Sequence, residues 1–449
     1  MPDIARLPLV RLVAYGLPAL PAAALGLPLY IFLPTFYAAE LGLPLAAVGA
    51  ALLAARLWDV VTDPVVGILS DRTRGRFGRR RPWLVAALPL LVLSVWMLFR
   101  PAEGAGVGYL ALWSAALYLG WTMLALPHSA WGAELSDDYH ERARISAARE
   151  VALVAGTLVA AGLPLVIGVD GESDPGAVLA LLAVLLAVGL PAAVAVAVTI
   201  VPDGRAAATQ PVPWRQAGAL LAANRPFARL IAAYLLNGIA NGLPATLFLL
   251  FVAHVLAAPE MQGPLLFVYF LCGILGVPAW LALARRLGKH RTWCLAMIAN
   301  CLAFAWAPLL GAGDVWPFLA ICILSGLCLG ADLVLPSAIQ ADVVDVDTAA
   351  GGGRRTGLYF AFWGMATKLA LALAVGAAFP LLELAGFRAD ADGNPASALL
   401  TLALLYGAAP VIFKIVAIAL MWRFPLDQTA QADLRLRIRT IETEPRTDP

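Results

Sequence analysis

Apolar blocks of roughly 18 to 28 residues, separated by short polar stretches, recur along the whole sequence. A helix rises about 1.5 Å per residue, so roughly 20 such residues cross a hydrocarbon core of about 30 Å. No soluble fold has interior enough for so many blocks. Of 449 residues, 61% are hydrophobic and 13% charged, where a soluble domain carries about a quarter charged residues. The pattern implies an all-α, polytopic membrane protein. The apolar run after Arg11 continues to about residue 39, longer than the apolar region of a signal peptide, and reads as a retained first span.

Twelve transmembrane helices are expected, six of them near residues 12–39, 44–69, 82–100, 107–135, 146–169 and 177–201. The other six fall near 228–255, 262–287, 291–311, 316–343, 357–384 and 397–424. The corresponding division is an N-terminal bundle over 1–201, a cytoplasmic linker over 202–227, a C-terminal bundle over 228–424 and a frayed cytoplasmic tail over 425–449. Alternate connections are basic: Arg72 to Arg81, Arg142 and Arg144, Arg205 to Arg225, Arg285 to Arg291, and Arg354 with Arg355. The opposite connections hold only Arg100 and Arg388. The positive-inside rule then places both termini in the cytoplasm, in a plasma (inner) membrane. The net charge of +2 implies no polyanionic partner. Cys272, Cys294, Cys301, Cys322 and Cys328 lie inside expected spans without metal-ligand spacing and read as small packing residues.

The halves echo each other. Span 4 ends L-A-L-P-H-S-A-W-G-A-E-L-S-D-D and span 10 ends L-V-L-P-S-A-I-Q-A-D-V-V-D-V-D, aligning Pro127 with Pro336. The basic 2–3 connection has a shorter counterpart after span 8, A-R-R-L-G-K-H-R. Two pseudo-symmetric six-helix bundles are implied, with a solute site near the midplane between them. That is transporter architecture.

Ionisable groups at bilayer depth cost about 2.5–3.5 kcal/mol each and call for a reason. Span 2 contains A-A-R-L-W-D-V-V-T-D-P, which sets Arg56, Asp59 and Asp63 on one helix face. Asp59 lies about 22 Å in from Pro44. Pro64 lacks an N–H, so the Val60 carbonyl loses its helical partner. With the Thr62 hydroxyl these oxygens suit a small hard cation, Na+ if the coupling ion is sodium, or a proton. The alternative is an Arg–Asp lock between helices. Thr122 lies at similar depth in span 4 and either completes the site or bonds its own helix. Asp332, Lys368 and Lys414 read as a solute lining or as a charge pair between C-terminal helices. Arg149 is a candidate for solute or coupling, or a snorkelling side chain. Asn237 and Asn241, one turn apart, suit solute hydroxyls or inter-helix bonding.

The connection G-I-L-S-D-R-T-R-G-R-F-G-R-R-R-P suggests a gate. Gly67 permits close helix approach, Asp71 can cap a neighbouring helix, and Arg72, Arg79, Arg80 and Arg81 can meet carboxylates or lipid phosphates. The run lacks the interleaved aromatics of a nucleic-acid surface and abuts two spans.

These segments resemble the major facilitator superfamily and, within it, the glycoside–pentoside–hexuronide:cation symporters with their melibiose carriers. The resemblance rests on R-L-W-D-V-V-T-D-P-V-V-G-I-L-S-D-R-T-R-G-R-F-G-R-R-R-P-W, on P-H-S-A-W-G-A-E-L-S-D-D-Y-H-E-R-A-R, and on Q-A-D-V-V-D-V-D followed by G-R-R-T-G-L-Y-F-A-F-W-G-M-A-T-K. It implies cation binding at Asp59 and Asp63, assisted by Thr62 and Thr122, and supporting roles for Arg149 and Lys368. The solute-reading positions depart from melibiose carriers. Span 1 has no carboxylate, Ala125 replaces an aspartate, and Ser129 replaces a tryptophan, though Trp121 and Trp131 are near.

The expected function is symport of a sugar, glycoside or related small solute with Na+ or H+, by a monomer that needs no further cofactor. A cation-coupled carrier of an amphiphile such as a lysolipid, or a solute exporter, is the alternative; the superfamily's lysolipid symporters share the span 2 pair. An intramembrane enzyme would need a nucleophile with its base or a metal constellation, and His128, His140, His254 and His290 are scattered.

Overall fold

Hydrocarbon offers no water to backbone N–H and C=O groups, so a helix, which bonds them internally, is the default for such blocks. The computed structural model describes residues 6–26, 33, 36–37, 41–73, 75, 77–102, 104–136, 138–167, 175–203, 223–352, 355–387 and 393–443. Most of the second half of the first expected span, Arg74, Arg76, Arg205, Arg215, Arg354, Arg388 and most of the expected linker lie outside them. Every regular element among the described residues is helical.

The chain divides into two compact units. The first comprises residues 1–212 with 350–362, the second 213–349 with 363–449. In the first unit, α1 (Leu9–Gly16) and α2 (Ala19–Ala24) are separated by a turn at Leu17 and Pro18. Then come α3 (Leu45–Arg72), α4 (Arg81–Phe99), α5 (Val107–Glu134), α6 (Tyr139–Ile167) and α7 (Pro175–Ile200). Helix α5 packs against both α3 and α4, α2 lies on α6, and α4 lies on α7. In the second unit, α8 (Arg225–Leu250), α9 (Gln262–Leu287), α10 (Lys289–Phe304) and α11 (Val315–Asp347) precede α12 (Thr356–Leu384), whose first turns belong to the first unit. Helices α13 (Ala396–Ala403) and α14 (Ala409–Met421) follow, joined by a π-turn. Helix α9 packs on α11, α8 on α14, and α10 on both α11 and α14.

Among the described residues nine helices are long and apolar enough to cross a membrane. They coincide with expected spans 3, 4, 6 and 7 to 12. The remaining expected spans fall on α1 with α2, which together make one short apolar stretch, on α3 with its five charged residues, and on α6.

Packing is close where glycine allows it. A Cβ on Gly276 would stand 2.4 Å from the Leu327 carbonyl oxygen, and one on Gly330 2.6 Å from that of Gly273, so α9 and α11 meet backbone to backbone. The same holds between α3 and the start of α12, where a Cβ on Gly357 would lie 2.5 Å from the Gly67 carbonyl oxygen.

The tail corrects the frayed extension expected after Phe424. Residues Gln428–Thr443 form α15, capped by Asp427, which accepts from the Ala430 N–H at 2.9 Å and the Thr429 hydroxyl at 2.6 Å. That backbone N–H, then the hydroxyl, hold the Asp427 carboxyl below its ordinary range. Asp345, near the end of α11, accepts from Gln431 at 2.5 Å and Arg435 at 2.9 Å, so a polar segment gains an anchor that its own composition does not advertise.

The Gly357 contact generates a test. Gly357→Ala forces the α3 and α12 backbones apart and lowers the thermal midpoint of the detergent-purified protein, overpacking costing about 1–3 kcal/mol. Gly376→Ala on the same helix meets nothing within 4 Å and leaves the midpoint equal or higher.

Candidate functional site

Helix α3 presents Asp59 and Asp63 one turn apart toward α5, and both are buried. The Thr122 hydroxyl oxygen of α5 stands 2.8 Å from Asp59 Oδ1 and 2.8 Å from Asp63 Oδ1. One hydroxyl holds one hydrogen, so it serves one carboxylate at a time. The two oxygens cannot be further apart than the sum of those distances, and at such separation in a site shut off from water two negative charges repel strongly. A small cation among the three oxygens relieves that repulsion, and a bound proton does the same. This is the arrangement in which Thr122 reaches across the bundle rather than to its own helix.

Thr62 is buried beside the pair, but its hydroxyl donates to the Asp59 carbonyl at 3.1 Å, so only its lone pairs face any ligand. Arg56, one turn before Asp59, donates from Nε to the Tyr118 hydroxyl of α5 at 3.0 Å, and its guanidinium carbon lies 5.5 Å from that ring's centroid. Tyr118 is a partner that helix periodicity on α3 could not reveal. Trp121 packs, half buried, on the apolar core of this unit. Arg149 is half buried on α6, paired with its neighbour Glu150 and hydrogen-bonded to Tyr15. Among the described residues no group of three or more His, Cys, Asp or Glu is placed to hold a metal ion. The carboxylate pair with its threonine places three hard oxygens around one point, the kind of donor set that suits a small hard cation.

The 2–3 connection folds into a buried knot. Asp71 Oδ1 accepts from Arg79 at 2.8 Å, Arg80 at 2.6 Å and the Gly357 N–H at 2.8 Å, while Oδ2 accepts from the Leu358 N–H at 3.0 Å. It thus caps the first turn of α12, the neighbouring helix that the sequence could not name. Arg80, with no accessible surface, grips Glu134 at 2.6 and 3.3 Å and the Ser70 hydroxyl at 2.7 Å. Arg81 donates to the Val201 carbonyl and lies over the Trp131 ring. Arg72 is exposed at the end of α3. Glu134 was missed: it stands within the quoted span 4 motif, but its partner is 54 residues away.

In the second unit Asp332 on α11 is the centre of another network. Its Oδ2 accepts from Asn241 Nδ2 at 3.1 Å and from Lys414 Nζ at 3.2 Å, and its Oδ1 from Trp293 Nε1 at 2.6 Å. Lys414 also donates to Asn237 Oδ1 at 2.7 Å. The candidate solute residues Asn237, Asn241 and Asp332 do come together, but around Lys414 and Trp293. The network pairs one positive with one negative charge, the structural alternative left open for these helices. Lys368 is half buried on α12, within this unit.

The repeat recurs in charge. Pro336 follows Pro127 by 209 residues, and Lys289 follows Arg80 by the same 209. Buried Lys289 bonds Asp342 of α11 at 2.5 Å, as Arg80 bonds Glu134 of α5.

Residues 14–428 match the family model described as MFS/sugar transport protein. The chain belongs to this family. An uncharacterised symporter of Synechocystis sp. is 24% identical, over 88% of the chain and 90% of that protein. A sodium-dependent lysophosphatidylcholine symporter of Danio rerio is 25% identical, over 84% of the chain and 79% of the relative. A sphingosine-1-phosphate transporter of Mus musculus is also 25% identical, over 97% and 94%. Among solved structures, a bacterial homologue of the iron transporter ferroportin in its outward-facing state superposes with a TM-score of 0.67 at 14% identity, covering 92% of this chain and all of that one, a likeness of fold alone. The chain is an integral membrane secondary transporter of the major facilitator superfamily.

Two tests follow from the geometry. Thr122→Val keeps the shape but removes the shared hydroxyl, and raises the cation concentration for half-maximal transport about tenfold, measured by uptake against cation titration. Glu134→Gln leaves the buried Arg80 short of a charge partner, and lowers the thermal midpoint by the equivalent of about 3–5 kcal/mol, with partial recovery in Glu134→Asp.

Proposed function

We propose that the chain is a cation-coupled symporter of a single-tailed, headgroup-bearing amphiphile of the lysophospholipid kind. The observation that carries it is the Asp59–Thr122–Asp63 arrangement: two buried carboxylates on one hydroxyl, which a monovalent cation completes. Cation and solute that favour the same closed state are linked, and the linkage is reciprocal: each tightens the other by the same factor.

The solute class comes from the relatives, whose names specify lysophosphatidylcholine, with sodium, and sphingosine-1-phosphate. The carbohydrate expected from the melibiose-carrier resemblance has no support in those names. The departures in span 1 agree: described residues 12–26 offer no carboxylate or amide to read sugar hydroxyls, and their apolar side chains suit an acyl tail. On this reading Lys368 and Arg149 are the basic groups that would meet a headgroup, while Asn237 and Asn241 hold the Lys414–Asp332 pair. The twelve-span count belongs here too, with α1–α2, α3 and α6 supplying the three spans beyond the nine apolar ones. So do the two six-helix bundles, cytoplasmic termini in a plasma (inner) membrane, function as a monomer, and a gating role for the Asp71, Arg72, Arg79, Arg80 and Arg81 segment.

The test is uptake of labelled lysophosphatidylcholine, sphingosine-1-phosphate and a panel of labelled sugars by cells expressing the full chain, with Na+ present, Na+ replaced, or external pH lowered. Ion-dependent lipid uptake that is lost in Asp59→Asn and Asp63→Asn is expected. Sugar uptake without lipid uptake would overturn the solute class. Undiminished, ion-dependent uptake by both variants would reduce the pair to a structural lock.

A further inference from the structure

At the end of the second unit, where α9 hands over to α10 and α14 runs into the α15 cap, lies a cavity of about 560 Å³. Its walls are Leu287, His290, Arg291, Leu295, the Trp422–Arg423–Phe424 turn and Asp427. Each part has its own chemistry. His290 is 96% buried, yet its Nδ1 has no hydrogen-bond partner. A buried ring nitrogen left so costs about 1–3 kcal/mol unless something supplies the missing bond. Arg291 and Arg423 are exposed, and among the described residues neither has an ion-pair partner. Against these two cations stands only Asp427, whose carboxylate is already committed to capping α15.

The wall also includes the first turn of α10. Its N-cap position is Gly288, which has no side chain to cap the helix, so the leading N–H groups add to the positive field. The wall also carries apolar groups: Leu287 and Trp422 are exposed, while Phe424 is buried with its ring centroid 6.2 Å from that of His290. Exposed arginines beside an exposed tryptophan and leucine are the combination of surfaces met at the level of lipid headgroups. The basic connections of this unit put the same end at the cytoplasmic leaflet by the positive-inside rule.

We infer that this cavity binds the phosphate-bearing headgroup of an anionic bilayer lipid, separately from the transported solute. Arg291 and Arg423 meet the phosphate, His290 Nδ1 bonds a headgroup oxygen or hydroxyl, and the acyl chains leave past Leu287 and Trp422. A headgroup held there ties the start of α10 to the end of α14 and to the α15 cap. The zwitterionic phosphatidylcholine headgroup brings its own cation and competes poorly.

The experiment uses the full chain in detergent, examined by native mass spectrometry with phosphatidylglycerol or phosphatidylcholine added, and then in vesicles of each composition. The parent retains phosphatidylglycerol in preference to phosphatidylcholine. The double variant Arg291→Gln, Arg423→Gln loses that retention about tenfold or more. The control Arg285→Gln, Arg286→Gln removes two arginines from the end of α9 that lie outside the cavity. Equal loss in both variants would overturn the site in favour of diffuse surface charge, and no loss in either would overturn it outright. Displacement of phosphatidylglycerol by millimolar inorganic phosphate would assign the cavity to a soluble anion and also reject the lipid. His290→Phe, which keeps the ring but not the nitrogen, lowers retention with folding preserved, as the thermal midpoint reports.

Discussion

Arg80 has no accessible surface at all, and so the packing around it depends on its being paired. A charged group in such a place cannot borrow bonds from water. Asp71 and Ser70 from the end of α3, and Glu134 from 54 residues further on, therefore have to come to it. The same Asp71 accepts the first N–H groups of α12, so one carboxylate neutralises a guanidinium and caps a helix at once. Gly67 and Gly357 let α3 and α12 approach closely enough for that. A bulky residue at either glycine, or an amide at Glu134, would strand the rest.

Within each unit the buried charges sort by how fully they are compensated. Lys289 with Asp342 repeats the Arg80–Glu134 pairing on the second half of the internal repeat. Lys414 with Asp332 is backed by two asparagines and a tryptophan, a network that links four helices and carries no net charge. Asp59 and Asp63 are arranged differently. There two carboxylates share one threonine hydroxyl, the arrangement on which the proposed cation coupling rests.

Much of this was legible in one dimension. Block length and apolarity implied helices, the i, i+3, i+7 spacing put Arg56, Asp59 and Asp63 on one face, and the 127-to-336 offset exposed the repeat. Asp71 as a helix cap was readable because an acidic residue after a span, followed by arginines, suits a positive helix end. Glu134, Tyr118, Trp293 and Glu150 were not singled out, since nothing local distinguishes a residue whose partner lies tens of residues away. The tail was misread as frayed because its composition is polar throughout; Asp427 and Asp345 supply a cap and an anchor that a composition argument does not weigh.

The sequence by itself determined that this chain lives in a membrane, how its helices repeat, and which residues are too costly to bury without purpose. These follow from transfer free energy and helix periodicity, which are properties of a segment alone. Only the tertiary structure decided what each costly residue meets. It gave Thr122 to both aspartates, Lys414 to Asp332 and Arg80 to Glu134, and it left the His290 nitrogen waiting in a basic cavity. Electrostatic and hydrogen-bond energies depend on distance in space, and distance in space is what sequence order leaves open.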